Sequence, residues 1–200
     1  MLVRNHMTKN PITVGPDDDV HQVRYKMLKG NFRRLPVVAD GKLVGIVTDR
    51  DIRPYLESAG CKPVKEIMTR DPQTISPDDT LERAAQILLD RKIGGLPVVE
   101  NGKLVGIVTT SDVLEAFLEV MGVNVEQTAR IDMLLDQETL DLAGACRIIS
   151  QEGSEVLGLG TYREKWGESP IFYLRLRSTN PDHLAELLRK LGYKVLGVRP

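Results

Sequence analysis

The chain has few of the residues that announce a disulfide scaffold, a metal centre or a membrane span. Its two cysteines, Cys61 and Cys146, lie far apart in unrelated segments and form no metal-spaced pair. They read as reduced thiols of a cytosolic protein. The three histidines, His6, His21 and His183, also fall in separate segments, with neither an HExxH motif nor a second ligand at i+4. No stretch approaches the ~20 apolar residues of a membrane span, and no apolar signal-peptide core is present at the N-terminus. An excess of one charge is missing too: 27 Lys and Arg stand against 28 Asp and Glu, a net charge of −1. Nothing therefore pulls the whole chain toward nucleic acid or an anionic membrane. Catalytic signatures are equally scarce. There is no Gly-x-Ser-x-Gly elbow, and Gly158-Leu159-Gly160 is neither a Walker loop nor a Rossmann fingerprint. The run Asp17-Asp18-Asp19 reads as charge at a helix start. These absences predict a soluble, cytoplasmic protein that is not an enzyme and has no catalytic cofactor, metal, membrane or nucleic-acid partner.

What is present is a sequence stated twice. Gly41-Lys42-Leu43-Val44-Gly45-Ile46-Val47-Thr48 returns unchanged as Gly102-Lys103-Leu104-Val105-Gly106-Ile107-Val108-Thr109, at an offset of 61. The same offset carries Met7-Thr8 onto Met68-Thr69, Leu35-Pro36-Val37-Val38 onto Leu96-Pro97-Val98-Val99, and Asp51 onto Asp112. From Met7 to Ile52, 21 of 46 positions are identical in the copy, without insertion or deletion. Two copies are too few for a solenoid, which needs at least three. They predict a pseudo-symmetric pair with clefts between its halves, where small ligands tend to sit.

Each copy reads alike. A short extended segment, Pro11 to Val14 in the first, leads into a Pro-Asp-Asp turn. Asp19 with Gln22 resembles a capping box, with Thr80 in the equivalent place of the copy. Val20, Val23 and Met27 then recur at helical spacing, and Gly30 is placed to end that helix. Leu81, Ala84, Ala85 and Leu88 make the matching stripe. Two β-branched runs follow, Leu35 to Val38 and Leu43 to Val47, joined by Asp40-Gly41 and in the copy by Asn101-Gly102, both strong hairpin signals.

After the second strand comes Thr-x-x-Asp, Thr48 to Asp51 and Thr109 to Asp112. Its local reading is a capping box, in which hydroxyl and carboxylate satisfy free N–H groups. Its functional reading places a carboxylate beside a cleft, able to accept hydrogen bonds from a ribose diol, with hydroxyl and N–H groups near a phosphate. The two readings are compatible, and the duplication favours function.

Met-Thr-x-x-Pro, Leu-Pro-Val-Val and Gly-x-Leu-Val-Gly-Ile-Val-Thr-x-x-Asp, in order and in both copies, resemble a tandem pair of CBS domains over roughly Met1 to Met121. The resemblance implies two clefts about a pseudo-twofold axis that bind adenosyl ligands, with the Asp on ribose hydroxyls and the Thr near ribose or phosphate. Backbone at Thr13-Val14 and Thr74-Ile75 would face the adenine. The expected nucleotide-binding residues are thus Thr13, Val14, Thr48, Asp51, Thr74, Ile75, Thr109 and Asp112. Arg33 and Arg34 join them from their chemistry. They stand where the copy has Gly94 and Gly95, and the guanidinium fork suits phosphate oxygens. Arg50 and Arg53 add charge near the first Thr-x-x-Asp, where the copy has Thr110 and Ser111. The arginines read either as solvated or paired with nearby aspartates, or as making the two clefts unequal. The regulatory ligand is expected to be AMP, ADP or ATP, with S-adenosylmethionine sharing the same adenosine.

The last third has its own pattern. Gly122 ends an amphipathic run from Val113 to Met121, and Val123 to Gln127 reads as a linker. A strand through Ala129, Ile131 and Met133, a helix from Thr139 to Gln151, strands Glu155 to Tyr162 and Ile171 to Arg177, a helix from Asp182 to Leu191 and a strand from Tyr193 to Val198 make a βαββαβ order. Arg175 and Arg177 alternate there with Leu174 and Leu176, as polar positions. The order, with Ile148 to Gly153 and Leu191 to Val195, resembles a ferredoxin-like ACT domain. That family commonly binds amino acids between paired copies, but the turn Asp136 to Leu140 lacks the Pro-Gly expected of it, which favours pairing over binding. Trp166, in a polar loop, either anchors a partner or folds back over its sheet, the latter being the commoner outcome.

The sequence thus predicts an α/β (α+β) chain: CBS repeats at 1–60 and 61–122, a linker at 123–127 and an ACT-like domain at 128–200. The tandem resembles accessory proteins of acetoin utilisation. A homodimer and a regulated enzyme partner are expected. The alternatives are an amino-acid sensor acting through the ACT-like domain, a structural dimeriser with degenerate sites, and, least favoured by the charge, a nucleic-acid binder.

Overall fold

The computed structural model describes residues 1–56, 61–123, 125–135, 141–167 and 169–199. The chain forms two compact units, Met1–Glu115 and Ala116–Pro200.

In chain order the first unit contains α1 (Val3–His6), β1 (Thr8–Lys9), α2 (Val20–Gly30), β2 (Arg34–Ala39), β3 (Lys42–Thr48) and α3 (Asp49–Ile52). The second repeat supplies β4 (Thr69–Arg70), α4 (Leu81–Asp90), β5 (Gly95–Glu100), β6 (Lys103–Thr109) and α5 (Thr110–Val120), whose last residues, from Ala116, are counted in the second unit. Both β-branched runs pair as antiparallel hairpins with the same register and the same irregularity, between Val37 and Val38 and between Val98 and Val99. Asp40-Gly41 and Asn101-Gly102 all take positive φ, between 50° and 76°, the signature of a type I′ turn whose twist matches the strands.

The third strand of each sheet comes from the other repeat. β1 pairs with β6, and β4 pairs with β3. The chain just before each short strand is exchanged as well. Val3 N–H donates to Asp79, Arg4 to Pro77 and Leu81 to Met1; sixty-one residues on, Val64 donates to Asp18, Lys65 to Pro16 and Val20 to Lys62. Gly45 and Gly106 permit the exchange: a Cβ at Gly45 would lie 2.6 Å from Met68 Sδ and 3.0 Å from the Thr69 carbonyl, and Gly106 meets Met7 and Thr8 in the same way. After each exchanged strand the chain returns home. Val14 bridges Val37 and Ile75 bridges Val98, both in parallel.

The core of the first repeat joins Val14, Val20, Val23, Met27, Leu35, Val37, Val47 and Ile52 to the exchanged Val64. Asp19 caps α2 through His21 N–H rather than through Gln22, and Thr80 caps α4 through Arg83 N–H. Gly30 ends α2, as expected. It is the last helical residue, its Cα packed under the Phe32 ring, and Asn31 takes the left-handed position at φ 53°. Asn tolerates that region because its short side chain bonds locally. The helix after Thr-x-x-Asp differs in length between copies. Pro54 turns the first into a 3₁₀ turn at Arg53–Tyr55, whereas α5 runs on to Val120.

The second unit contains β7 (Thr128–Leu134), α6 (Leu142–Gln151), β8 (Glu155–Tyr162), β9 (Ile171–Arg177), α7 (Pro181–Lys190) and β10 (Lys194–Arg199). Its sheet is wholly antiparallel in the order β10-β7-β9-β8. Ile131, Met133, Leu174 and Leu176 pack under Ala145, Ile149, Leu184 and Leu188. The Asp136–Leu140 turn and the predicted helix start at Thr139 lie outside the described residues. Two expectations here are corrected. Arg175 is buried at 7% exposure, against Gly122, and its Nε has no hydrogen-bond partner among the described residues. Trp166 does not fold back and is fully exposed.

Candidate functional site

The strand exchange decides which residues meet. Thr48 and Asp51 stand at the end of β3, whose outer neighbour is β4, so the segment facing them is Thr69 with Pro72 and Gln73 of the second repeat. Thr109 and Asp112 likewise face Thr8, Asn10, Pro11 and Ile12 of the first. Each cleft is therefore built from both copies. The cavity at Asp51 holds about 970 Å³ and the one at Asp112 about 720 Å³. Both fall within the range of small-ligand sites.

The two Thr-x-x-Asp motifs adopt one geometry. Asp51 Oδ2 accepts the Thr48 backbone N–H at 2.8 Å and its hydroxyl at 2.7 Å. Asp112 Oδ2 accepts the equivalent groups of Thr109 at 2.6 and 2.7 Å. All four bonds fall on a single carboxylate oxygen of each Asp. Oδ1 takes no hydrogen bond among the described residues, so capping leaves half of each carboxylate available to a ligand. The capping and binding readings of the motif coexist, one oxygen each.

The residues expected near the adenine stand outside the cavity linings. Val14 and Ile75 are core residues at 3% and 5% exposure. Their backbone groups are already used: Val14 N–H donates to Pro36 and its carbonyl accepts Val38 N–H, and Ile75 does the same with Pro97 and Val99. Neither they nor Thr13 and Thr74 are among the residues lining the cavities, which are lined instead by the residues just before, Pro11-Ile12 and Pro72-Gln73. The signal for those prolines was in the sequence, as the last element of Met-Thr-x-x-Pro, but its role as cavity wall depends on the exchanged strand.

The arginine pair explains the glycine pair. Arg34, half-buried, crosses to the second repeat and donates to the Gly94 carbonyl. A Cβ at Gly94 would run into its guanidinium, and one at Gly95 would lie 2.8 Å from Nη1. Gly94-Gly95 is thus the socket for Arg34. Burial, and then the neighbouring Arg33, push the Arg34 pKa downward. Arg33 and Arg34 line both cavities.

Beyond these two the cavities diverge. The one at Asp51 also has Arg50, Arg53, Arg91 and Lys92 on its walls, six cations against the carboxylates of Asp49 and Asp51. The one at Asp112 has, among the described residues, only Arg33 and Arg34 against Asp112. Arg91 and Lys92, at the end of α4, escaped the sequence reading because they line the Asp51 cavity from the other repeat, far from Asp51 in sequence. Asp49 is partly neutralised. It pairs with Arg53 at 2.8 Å and with Arg24. The Arg53 hydrogen bond, reinforced by Arg24 and Arg33, holds its carboxyl below the usual carboxylate range against a smaller opposing effect of burial. No group of three or more His, Cys, Asp or Glu among the described residues could hold a metal. None of the described helices is long and apolar enough to cross a membrane.

This arrangement has counterparts among known proteins. Residues 3–58 and 64–119 each match the CBS domain. An inosine-5′-monophosphate dehydrogenase of Korarchaeum cryptofilum is 45% identical over 106 residues, 52% of this chain but 22% of that enzyme. The chain thus spans well under half of that relative. Among solved structures, CBSX2 of Arabidopsis thaliana in complex with AMP is 32% identical, with a TM-score of 0.54 over 60% of this chain and 98% of that one. The CBS domain pair of protein MJ0100, with 5′-methylthioadenosine and S-adenosylmethionine, is 34% identical at a TM-score of 0.55, over 58% and 95%. A protein of Vibrio cholerae assigned to acetoin utilization (AcuB) is 31% identical at 0.56, over 62% and 94%. The chain belongs to the CBS domain family.

Proposed function

We propose that this CBS-pair chain is a regulatory sensor of an adenine nucleotide, bound first in the Asp51 cleft. The observation that carries the reading is the pairing of a half-free carboxylate with an excess of cations in one cavity. Asp51 Oδ1 accepts the ribose hydroxyls, while Arg50, Arg91, Lys92 and Arg33 are available to phosphate. Charge-assisted hydrogen bonds of this kind are roughly twice as strong as neutral ones. The AMP complex of one relative supports a phosphate-bearing ligand. The complex with S-adenosylmethionine makes that molecule the rival, and the poorer cation supply at Asp112 suits it better. Because each cleft is walled by both repeats, a ligand that grips both shifts the population toward the arrangement it fits best.

The C-terminal unit enters as the pairing element. Its strand order is that of the split βαββαβ unit to which ACT domains belong, and we read it as an ACT-like module that joins two copies of the chain. The metabolic setting, acetoin utilization included, comes from likeness to a relative rather than from residues of this chain.

A thermal-shift comparison of AMP, ADP, ATP, S-adenosylmethionine and the twenty amino acids tests the proposal, with Asp51→Ala and Asp112→Ala in parallel. A nucleotide at a hundred times its Kd stabilises by about 2.7 kcal/mol, a rise of roughly 5–10 °C. The shift is expected with nucleotides and reduced most in Asp51→Ala. Shifts with amino acids alone would move the sensing to the C-terminal unit, and no shift at all would leave a pairing scaffold.

A further inference from the structure

The two cavities share a wall, formed by Arg33, Arg34 and Gly94. Arg34 is committed to the Gly94 carbonyl. Arg33 is exposed, and its guanidinium makes no hydrogen bond or ion pair among the described residues. It is therefore the one cation lining the Asp112 cavity, among the described residues, that no protein group already holds. The Asp51 cavity has others: Arg50, Arg91 and Lys92 line it alone.

We infer that Arg33 is a shared phosphate ligand, so that a phosphate-bearing nucleotide in the Asp51 cleft weakens binding of a second one in the Asp112 cleft. The inference rests on reading both clefts as nucleotide sites. A guanidinium offers its donors in one planar fork and grips one phosphate at a time in bidentate fashion. A side chain on the wall between two cavities serves either, not both. The Asp51 cleft, richer in cations, fills first, and its phosphate draws Arg33 to that side. The second nucleotide then meets only Arg34, whose donors already point at Gly94. By linkage the penalty is reciprocal: an occupied Asp112 cleft weakens the Asp51 cleft by the same factor. A ligand without phosphate makes no demand on Arg33 and binds the two clefts independently.

Isothermal titration of the full chain with AMP, and separately with adenosine, tests this. Wild type is compared with Asp51→Ala, Arg33→Ala and the double variant. The second AMP on wild type is expected to bind about tenfold more weakly than the first AMP binds Asp51→Ala, whose weakened Asp51 cleft lets the Asp112 cleft fill first; coupled sites typically differ by 5–150-fold. Adding Arg33→Ala to Asp51→Ala should bring its affinity down to the wild-type second step. Adenosine should show no such difference. A single AMP per wild-type chain, with one AMP also bound by Asp51→Ala, is the same coupling at its extreme. Equal affinities in wild type and Asp51→Ala, a difference that survives Arg33→Ala, or one that adenosine shares, would overturn the sharing and leave the nucleotide reading intact. A single AMP on wild type with none on Asp51→Ala would also remove it. Absence of AMP binding in every protein would overturn both.

Discussion

The Asp51 and Asp112 clefts are built on one plan and furnished differently. Their hairpins share a register, an irregularity and a turn, and their Thr-x-x-Asp motifs make the same hydrogen bonds within 0.2 Å. Among the described residues, six cations line one and two line the other. The difference teaches that duplication preserved what holds the backbone in place and released what faces the ligand. Arg34 and Gly94-Gly95 show how the release was absorbed. A long side chain in one copy is matched by missing side chains in the other, so the asymmetry is itself packed.

The first way to break the comparison is to cut the scaffold equally. Leu35→Ala and Leu96→Ala empty equivalent core positions, at 2% and 0% exposure, and each should cost about 2–5 kcal/mol in denaturant unfolding. Costs that differ by more than the spread between such sites would show that the repeats are not equivalent supports.

Removing the motif carboxylates comes next. Asp51→Ala and Asp112→Ala should each lower AMP affinity about 10–100-fold in their own cleft, the equivalent of 1.5–3 kcal/mol for a charged hydrogen bond, as read by calorimetry. Each also loses a helix-start cap worth about 1 kcal/mol of stability. Loss of the tighter step in Asp112→Ala would reverse the ranking of the clefts.

The socket is tested by Gly94→Ala. The added methyl displaces the end of Arg34 from its carbonyl partner, costing about 1 kcal/mol. In an Arg34→Ala background the same change should be nearly neutral, and a double-mutant cycle by denaturation measures the difference. An equal cost in both backgrounds would mean that Gly94 is required for its backbone alone.

The smallest effect is in acid. Asp49 has a lowered pKa in the folded chain, so its contribution to stability is complete above the unfolded value near pH 4 and is lost as pH falls through the folded one. Thr110 occupies the equivalent place in the copy. Asp49→Thr should therefore flatten the acid limb of the stability curve of the first unit, and Thr110→Val should leave it unchanged.

Much of this was legible before any coordinates, because duplication acts as an internal control. Hairpins, caps and the βαββαβ order follow from periodicity and turn residues, which are local signals. Pro11 and Pro72 were not legible as cavity walls, because their place depends on which strand lies beside β3 and β6, and Arg91 and Lys92 were not because they reach the Asp51 cavity from the other repeat. Repeat sequences do not say whether a short strand stays home or crosses over. The burial of Val14 and Ile75 was not legible for the related reason that a β-branched residue next to a cleft can face the core. Arg175 was misread because strand alternation gives the face a residue occupies and not what covers that face.

The exchange of β1 and β4 has a consequence for ancestry. A peptide of one repeat carries one half of each cleft and, among its strands, a short one that belongs to a neighbour. Two such peptides, trading their first strands, would rebuild both clefts with identical walls. Joined end to end, the halves are free to differ, and a single substitution at the shared wall of Arg33, Arg34 and Gly94 is felt in both sites at once. In such a molecule a mutation has no private address: each repeat inherits the changes of the other.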